Sequence, residues 1–445
     1  MASIGRYSKN AALVLGFICV LSLLIRFSFF VALEPWNEGA VRNKIVVGDS
    51  ARYTAYAVGL LTSKSFSNVD AFAVPGYPVF LAVIYFLFGA KPWFVLLLQV
   101  LMDTGIAIIV YFIAKDVFQS EKIALIAAFL YSVNFLSAYY SIRLLTEVPF
   151  TFLFALSILF FIKGLTKNML SGFALAGLFA GLATLFRPIS QYFPAVFFIV
   201  LMFSAGSISQ KLRNIVMLLL VFCAVISPWQ LHNLRTYGYY AVSTTSGRFF
   251  CRGGAVLAKV NAENISRDEA LEALVGNSVE GITNPFEEAK IYRKIAFSYI
   301  SENPVQYAKY FTKRILMMYF GTARTGISDL FAIKAKPFSI TEDIPLTAHK
   351  IIANYYNELP TLILLTKQIL EYLFVVIGLI IVWPKDKRIF ALLLMMTICY
   401  FTALSGVLAY SRMRVPIVPF YLVISARGIF ESFRLISAKI SPPRP

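Results

Sequence analysis

Histidine and cysteine are scarce in this chain: its 445 residues include two histidines, His232 and His349, and four cysteines. Cys19, Cys223 and Cys399 fall inside apolar stretches and only Cys251 stands in a long polar region, so neither a disulfide framework nor a zinc-type Cys/His spacing is present. Charge is scarce too. Charged residues make up 14% of the chain, against about 25% in a soluble domain, while hydrophobic residues reach 59% and the mean hydropathy is +0.73. That excludes a soluble globular protein. The sequence also lacks an internal repeat or inverted half, and any low-complexity segment beyond the proline-rich tail, which removes the architecture on which many transporters are built.

What is present is a succession of apolar stretches near the ~20 residues that cross a hydrocarbon core. Ten are candidate spans: 11–33, 93–114, 122–138, 148–163, 170–186, 188–205, 213–229, 366–383, 389–409 and 413–430. The first has no small-residue cleavage site and further spans follow it, so it is read as a retained helix and not a removed signal. The formal charge of +18 raises nucleic acid as a partner, but the Lys and Arg residues sit in short clusters between apolar segments and read as topology signals. With Arg6 and Lys9 cytoplasmic, the clusters at Lys115/Lys122, Lys163/Lys167, Lys211/Arg213, Lys385/Lys387/Arg388 and the tail with Arg434, Lys439 and Arg444 all fall inside. An eleventh stretch, Pro75–Ala90, is too short to span and would invert every later loop if it crossed, so an interfacial or re-entrant helix is expected there.

The expected fold is therefore an all-α polytopic membrane protein. Its parts are a transmembrane module over 1–229 carrying an outer loop at 34–92, a mostly helical extracytoplasmic region at 230–365, and C-terminal transmembrane helices with a cytoplasmic tail over 366–445. In the outer region, Ser266–Leu274 and Pro285–Ile300 are charge-rich helical stretches, and Tyr307–Tyr319 is a basic amphipathic piece expected along the membrane surface.

Candidate chemistry clusters on the expected outer side. Asp49, Arg52, Tyr53 and Tyr56 share one face of a short helix after Gly48, where Asp49 is either a plain N-cap or a working carboxylate. Glu147, at the mouth of a span, is either an i, i+4 partner of Arg143 or a second acid facing a shared cavity, where one acid takes a proton and the other orients the acceptor or a metal. Arg187, Arg235, Arg412 and Arg414 stand at outer span ends. Each alone reads as snorkelling, but together they suit an anionic partner such as a lipid phosphate, which guanidinium binds bidentately. Inside a span, Asp103 and Gln99 read as interhelical hydrogen-bonding groups, because no second ionisable residue is assigned to the depth of Asp103. Trp36, Trp93, Trp229 and Trp383 read as interface belt.

The stretches Gly48–Leu61, Val74–Gly89, Leu145–Phe152, Leu185–Pro188, Ser227–Gly238 and Ser411–Phe420, in that order, resemble the GT-C superfamily of membrane glycosyltransferases, in its protein O-mannosyltransferase and lipid A aminoarabinose transferase branch. The resemblance implies that Asp49 is the first-loop catalytic carboxylate, Glu147 the acid of the second outer loop, and Arg412 or Arg414 a neighbour of the carrier phosphate. Two departures stand out. Ser50 follows Asp49 where this family often has a second acid, which leaves a divalent cation as an open cofactor, and His232 stands where an Arg is common.

The expected function is an inverting transfer of a sugar from a polyprenyl-phosphate donor to a hydroxyl of a lipid, glycan or protein acceptor. Asp49 is the general base, and Arg52, Tyr53, Arg143, Arg187, Arg235, Arg412 and Arg414 are candidate substrate or carrier-phosphate contacts. The expected site is extracytoplasmic, on a multi-pass protein of the cell membrane, the inner membrane in a Gram-negative source. The competing classes are a transporter or flippase of a lipid-linked saccharide and a non-catalytic scaffold of an envelope polymerase. Three geometric expectations follow. Asp49 and Glu147 meet at one cavity; Arg412, Arg414 or both line it, with Arg187 or Arg235 secondary; and Pro416 holds the preceding backbone extended so that these side chains turn inward.

Overall fold

The computed structural model describes residues 9–64, 66, 71–323, 327, 330, 355–381, 383, 387–406 and 409–440. Lys385, Arg444, His349, most of the outer segment after 323 and the proline-rich tail lie outside the described residues. Among the described residues every regular element is a helix. The all-α polytopic membrane architecture read from the sequence is what forms.

In order these are α1 (Lys9–Leu33), α2 (Asp49–Ser63), α3 (Gly76–Phe88), α4 (Pro92–Phe118), α5 (Glu121–Ser132), α6 (Phe135–Ser141), α7 (Glu147–Lys167), α8 (Leu170–Phe186), α9 (Pro194–Phe203), α10 (Ile208–Tyr237), α11 (Val256–Glu263), α12 (Arg267–Leu274), α13 (Pro285–Glu302), α14 (Pro304–Phe320), α15 (Tyr355–Ile380), α16 (Arg388–Ser405) and α17 (Val418–Ile440). Each of the ten apolar stretches is mostly helical over its described residues. Seven helices are long and apolar enough to cross a membrane, and α5 with α6 makes an eighth candidate bent by 55°. The stretches at 170–186 and 188–205 form shorter apolar helices. Helix α3, at 13 residues, rises about 20 Å, short of a ~30 Å hydrocarbon core.

Two apolar cores form. The larger joins the long helices and is rich in aromatic edges, with Phe154, Phe193 and Phe401 packed against one another. The smaller gathers Cys251, Val256, Ala270, Tyr292, Tyr299 and Tyr310 from α11–α14 and the π-helical turn Phe249–Ala255. Helix α12 begins with a Ser266/Glu269 capping box, which satisfies two orphan N–H groups at once. The segment carrying Ser243, Thr245 and Arg248 is fastened to the loop before α3 at Phe72. The Ser243 and Thr245 hydroxyls donate to its carbonyl at 3.0 and 2.7 Å, and its ring lies against both Arg52 and Arg248.

The bend between α5 and α6 frees carbonyls at membrane depth, where no water can satisfy them. Arg26 of α1 does so, donating to Ser132 O at 2.7 Å and Tyr131 O at 3.2 Å, while its Nε bonds Asp103 Oδ2 at 2.6 Å. Tyr131 and Ser137 hydroxyls also donate to Asp103. Asp103 therefore has an ionisable partner at its own depth, which corrects the reading of it as a solitary hydrogen-bonding group. Its network fastens α1, α4, α5 and α6 together.

Candidate active site

Helix α2 starts at Asp49 because Gly48 adopts φ 59°, ψ −124°, a conformation that disfavours any side chain. The turn before it is tied by Ser50, whose hydroxyl donates toward Ile45 O at 2.7 Å and accepts from Val47 N at 3.1 Å. The Asp49 carboxylate makes no capping bond. It faces Arg412, whose Nη1 lies 3.0 Å from Asp49 Oδ2, so the plain N-cap reading does not hold.

Glu147 opens α7, at the positive end of the helix dipole, and its side chain is fully buried. The loop that presents it is held from several directions. Gln99 donates to Arg143 O at 2.7 Å and Ser141 O at 3.1 Å while accepting from the Tyr77 hydroxyl at 2.9 Å. Arg143 turns away from Glu147 to donate to Lys44 O at 2.8 Å and to lie over the Tyr139 ring, so it links the loop before α2 to the loop before α7 and forms no i, i+4 pair.

Instead Glu147 Oε1 receives two guanidiniums, Arg187 Nη1 at 2.6 Å and Arg412 Nε at 2.5 Å. Arg187 stands in extended conformation between the end of α8 and Pro188, as the restriction before proline favours. Arg412 thus touches both acids. Asp49 and Glu147, 98 positions apart in sequence, lie within about 8 Å because they share one planar guanidinium. Four side chains from four segments form a charge-balanced chain: Asp49, Arg412, Glu147, Arg187.

The members differ in exposure. The Asp49 side chain is 51% exposed, whereas Arg412 is 13% and Arg187 15% exposed. Glu147 keeps one oxygen, Oε2, buried and unpaired among the described residues. Tyr53, one turn along α2 from Asp49, packs edge-on against Tyr77, and burial with the nearby Glu147 charge pushes its phenol up to about 12, so it stays a neutral donor.

The structure separates the remaining candidates. Arg52 is exposed and lies over Phe72, away from the acids. Arg235 is exposed near the end of α10. Arg414 is buried and donates to the carbonyls of Met318, Tyr319 and Gly321, the end of α14, where a cation also suits the dipole. It lines a separate small cavity of about 30 Å³ with Lys367, Gln368 and Glu371. Residues Ser411–Arg414 and Val415–Ile417 are helical, with Val415 at φ −48°, ψ −45°, so Pro416 does not impose the extended backbone expected from it. Tyr410 is the extended residue, and Arg412 turns inward from the first turn that follows. Trp229 and Trp383 are buried, each donating its indole N–H to a backbone carbonyl, which removes them from the interface belt.

Among the described residues no three His, Cys, Asp or Glu side chains gather as metal ligands. His232 stacks on Trp229 with ring centroids 4.9 Å apart.

Comparison with known proteins shows a likeness to membrane glycosyltransferases, in part of the sequence and in the fold. The sequence model of the dolichyl-phosphate-mannose-protein mannosyltransferase family matches residues 73–232, bearing out the resemblance carried by the sequence stretches. The fold is similar to that of the archaeal oligosaccharyltransferase AglB from Archaeoglobus fulgidus in complex with an inhibitory peptide and a dolichol-phosphate (TM-score 0.56, 14% identity, covering 98% of this chain and 52% of that one). It is similar as well to the apo form of the Archaeoglobus fulgidus oligosaccharyltransferase (TM-score 0.54, 14% identity, 98% and 52% covered). This chain spans about half the length of those enzymes. No curated protein sequence matches it.

Proposed function

We propose that this chain transfers a sugar from a polyprenyl-phosphate donor to an acceptor hydroxyl on the outer face of the membrane, with Asp49 as general base. One observation carries the reading: a single guanidinium, Arg412, joins carboxylates from two loops that the sequence keeps far apart. Asp49 suits the base because it is half exposed and held by one bond, within reach of an incoming hydroxyl. Glu147 suits a fixed role: it is fully buried, and its Oε1 anchors both arginines.

In the reaction, the acceptor oxygen attacks the anomeric carbon as its proton passes to Asp49. The bond from that carbon to the phosphate oxygen breaks, and the electron pair stays on the phosphate. Arg412 Nη2 makes no hydrogen bond among the described residues and, with Arg187, offers fixed positive charge where that negative charge grows. In this reading 1–229 supplies both acids and Arg187, the C-terminal segment 366–445 completes the site with Arg412, and 230–365 covers the acceptor side. The transporter alternative rested on Asp103, which is closed into a buried ion pair.

Arg412→Lys tests the assignment, because Lys keeps the charge but loses the planar fork. Titration with polyprenyl phosphate in nanodiscs is expected to show affinity at least about tenfold weaker than wild type. Unchanged affinity together with unchanged transfer removes Arg412 from the phosphate.

A further inference from the structure

Deepening that reading and resting on it, we propose that the Arg412 guanidinium stands in the position a divalent cation would take between Asp49 and Glu147, so that this site works without a metal. The donor set is the reason. A hard cation such as Mg²⁺ or Mn²⁺ needs about six oxygen ligands. Here Asp49 Oδ2 and Glu147 Oε1 are both bonded to Arg412, at 3.0 and 2.5 Å, and Glu147 Oε1 is bonded to Arg187 as well.

The position after Asp49, where a second first-loop acid would supply a further ligand, is Ser50. Its side chain is buried and its hydroxyl is committed to the backbone of Ile45 and Val47. His232 is stacked on Trp229, and no third His, Cys, Asp or Glu joins the two acids among the described residues. The spare Glu147 Oε2 offers one ligand only. A dication entering here meets two carboxylates whose charge the two guanidiniums already cancel, so it gains no net attraction and can take an oxygen only by displacing a guanidinium from it, a loss of several kcal/mol per pair even at an effective dielectric constant of about 20.

The same geometry explains why the guanidinium serves. It is planar, always charged, and presents Nε and Nη1 to the two acids while leaving Nη2 for an anion. It bridges carboxylates to phosphate as a metal ion does, and it carries no ligand-exchange step or proton to lose.

Removing the guanidinium uncovers two neighbouring carboxylates and, on this account, creates a cation site. Mn²⁺ binding is therefore measured by electron paramagnetic resonance on the full chain in nanodiscs, for wild type, Asp49→Asn, Arg412→Ala, Arg412→Gln and Arg412→Ala with Asp49→Asn. Wild type is expected to bind no ion at the site up to millimolar Mn²⁺. Arg412→Ala and Arg412→Gln are expected to bind one ion, with affinity on the order of a hundredfold or more above wild type, and the added Asp49→Asn is expected to abolish it. Thermal unfolding confirms that each variant is folded, and the two Arg412 replacements guard against the loss of one. A wild-type ion that Asp49→Asn removes overturns the proposal, as does a folded Arg412 variant that gains no ion, or wild-type sugar transfer that a chelator stops and Mn²⁺ restores. The binding experiment needs no turnover, so its failure is distinct from failure of the transferase reading itself.

Discussion

Glu147→Gln and Asp49→Asn are both isosteric losses of one negative charge in the same site, yet their effects on stability should differ several-fold. The Glu147 carboxylate is fully buried and receives two guanidiniums at 2.6 and 2.5 Å. Replacing it leaves two largely enclosed cations facing a neutral amide, and breaking a pair whose acid is buried in this way costs about 3–5 kcal/mol. Asp49 is 51% exposed, and its one ion pair, at 3.0 Å, is largely screened by solvent, so its loss costs no more than about 1 kcal/mol. Equilibrium unfolding of wild type and both variants in mixed micelles, followed by circular dichroism, measures the difference directly. Transfer should collapse in both variants, with Asp49→Asn inactive while nearly as stable as wild type. Equal stabilities for the two variants, or a larger loss from Asp49→Asn, would refute the assignment of Glu147 as buried anchor and Asp49 as free base.

Arg414→Lys, unable to span the carbonyls of Met318, Tyr319 and Gly321, is expected to lower stability by about 1–3 kcal/mol and turnover with it, while leaving polyprenyl-phosphate affinity intact; loss of that affinity in a fully stable variant returns Arg414 to the phosphate. Arg26→Met and Asp103→Asn should each destabilise by about 3–5 kcal/mol, but the double replacement by less than the sum, and strict additivity in a double-mutant unfolding cycle contradicts the buried pair. Gly76→Ala places a Cβ about 2.4 Å from Leu185 O, so α3 must move off α8 at a cost of about 1–3 kcal/mol; an unchanged midpoint in a thermal scan argues against that close packing.

The helical, polytopic character was legible because hydropathy reports directly on the solvent each segment prefers, and bilayer thickness fixes the length of apolar helix that suits it. The site was legible in part. Asp49, Glu147 and Arg412 stood out because acids and arginines at span ends oppose the ordinary distribution of charge, and the structure brings those three together with Arg187. Arg414 carried the same signal, two positions from Arg412. Its direction depends on where the carbonyl end of α14 arrives, which is a tertiary fact that no local pattern encodes. Arg26 left a signal that depth arithmetic finds. It lies seven residues from the end of α1, about 10 Å at 1.5 Å per residue, while Asp103 lies eleven residues or about 16 Å into α4, so the arithmetic places both inside the membrane and within reach of a long arginine side chain. The supports at Gln99 and Arg143 act through backbone carbonyls of other segments, and side-chain identity alone does not reveal such bonds.

The central claim is that a half-exposed Asp49, held in place by Arg412, takes the acceptor proton while a sugar leaves a lipid phosphate. The most direct measurement is release of polyprenyl phosphate from a radiolabelled polyprenyl-phosphate sugar in proteoliposomes, by wild type and by Asp49→Asn, with donor binding measured in parallel. The account predicts acceptor-dependent release by wild type, a fall of at least about a hundredfold in Asp49→Asn, and donor affinity kept. Release by Asp49→Asn at the wild-type rate, or no release by wild type with any polyprenyl-phosphate sugar and hydroxyl acceptor supplied, would contradict it.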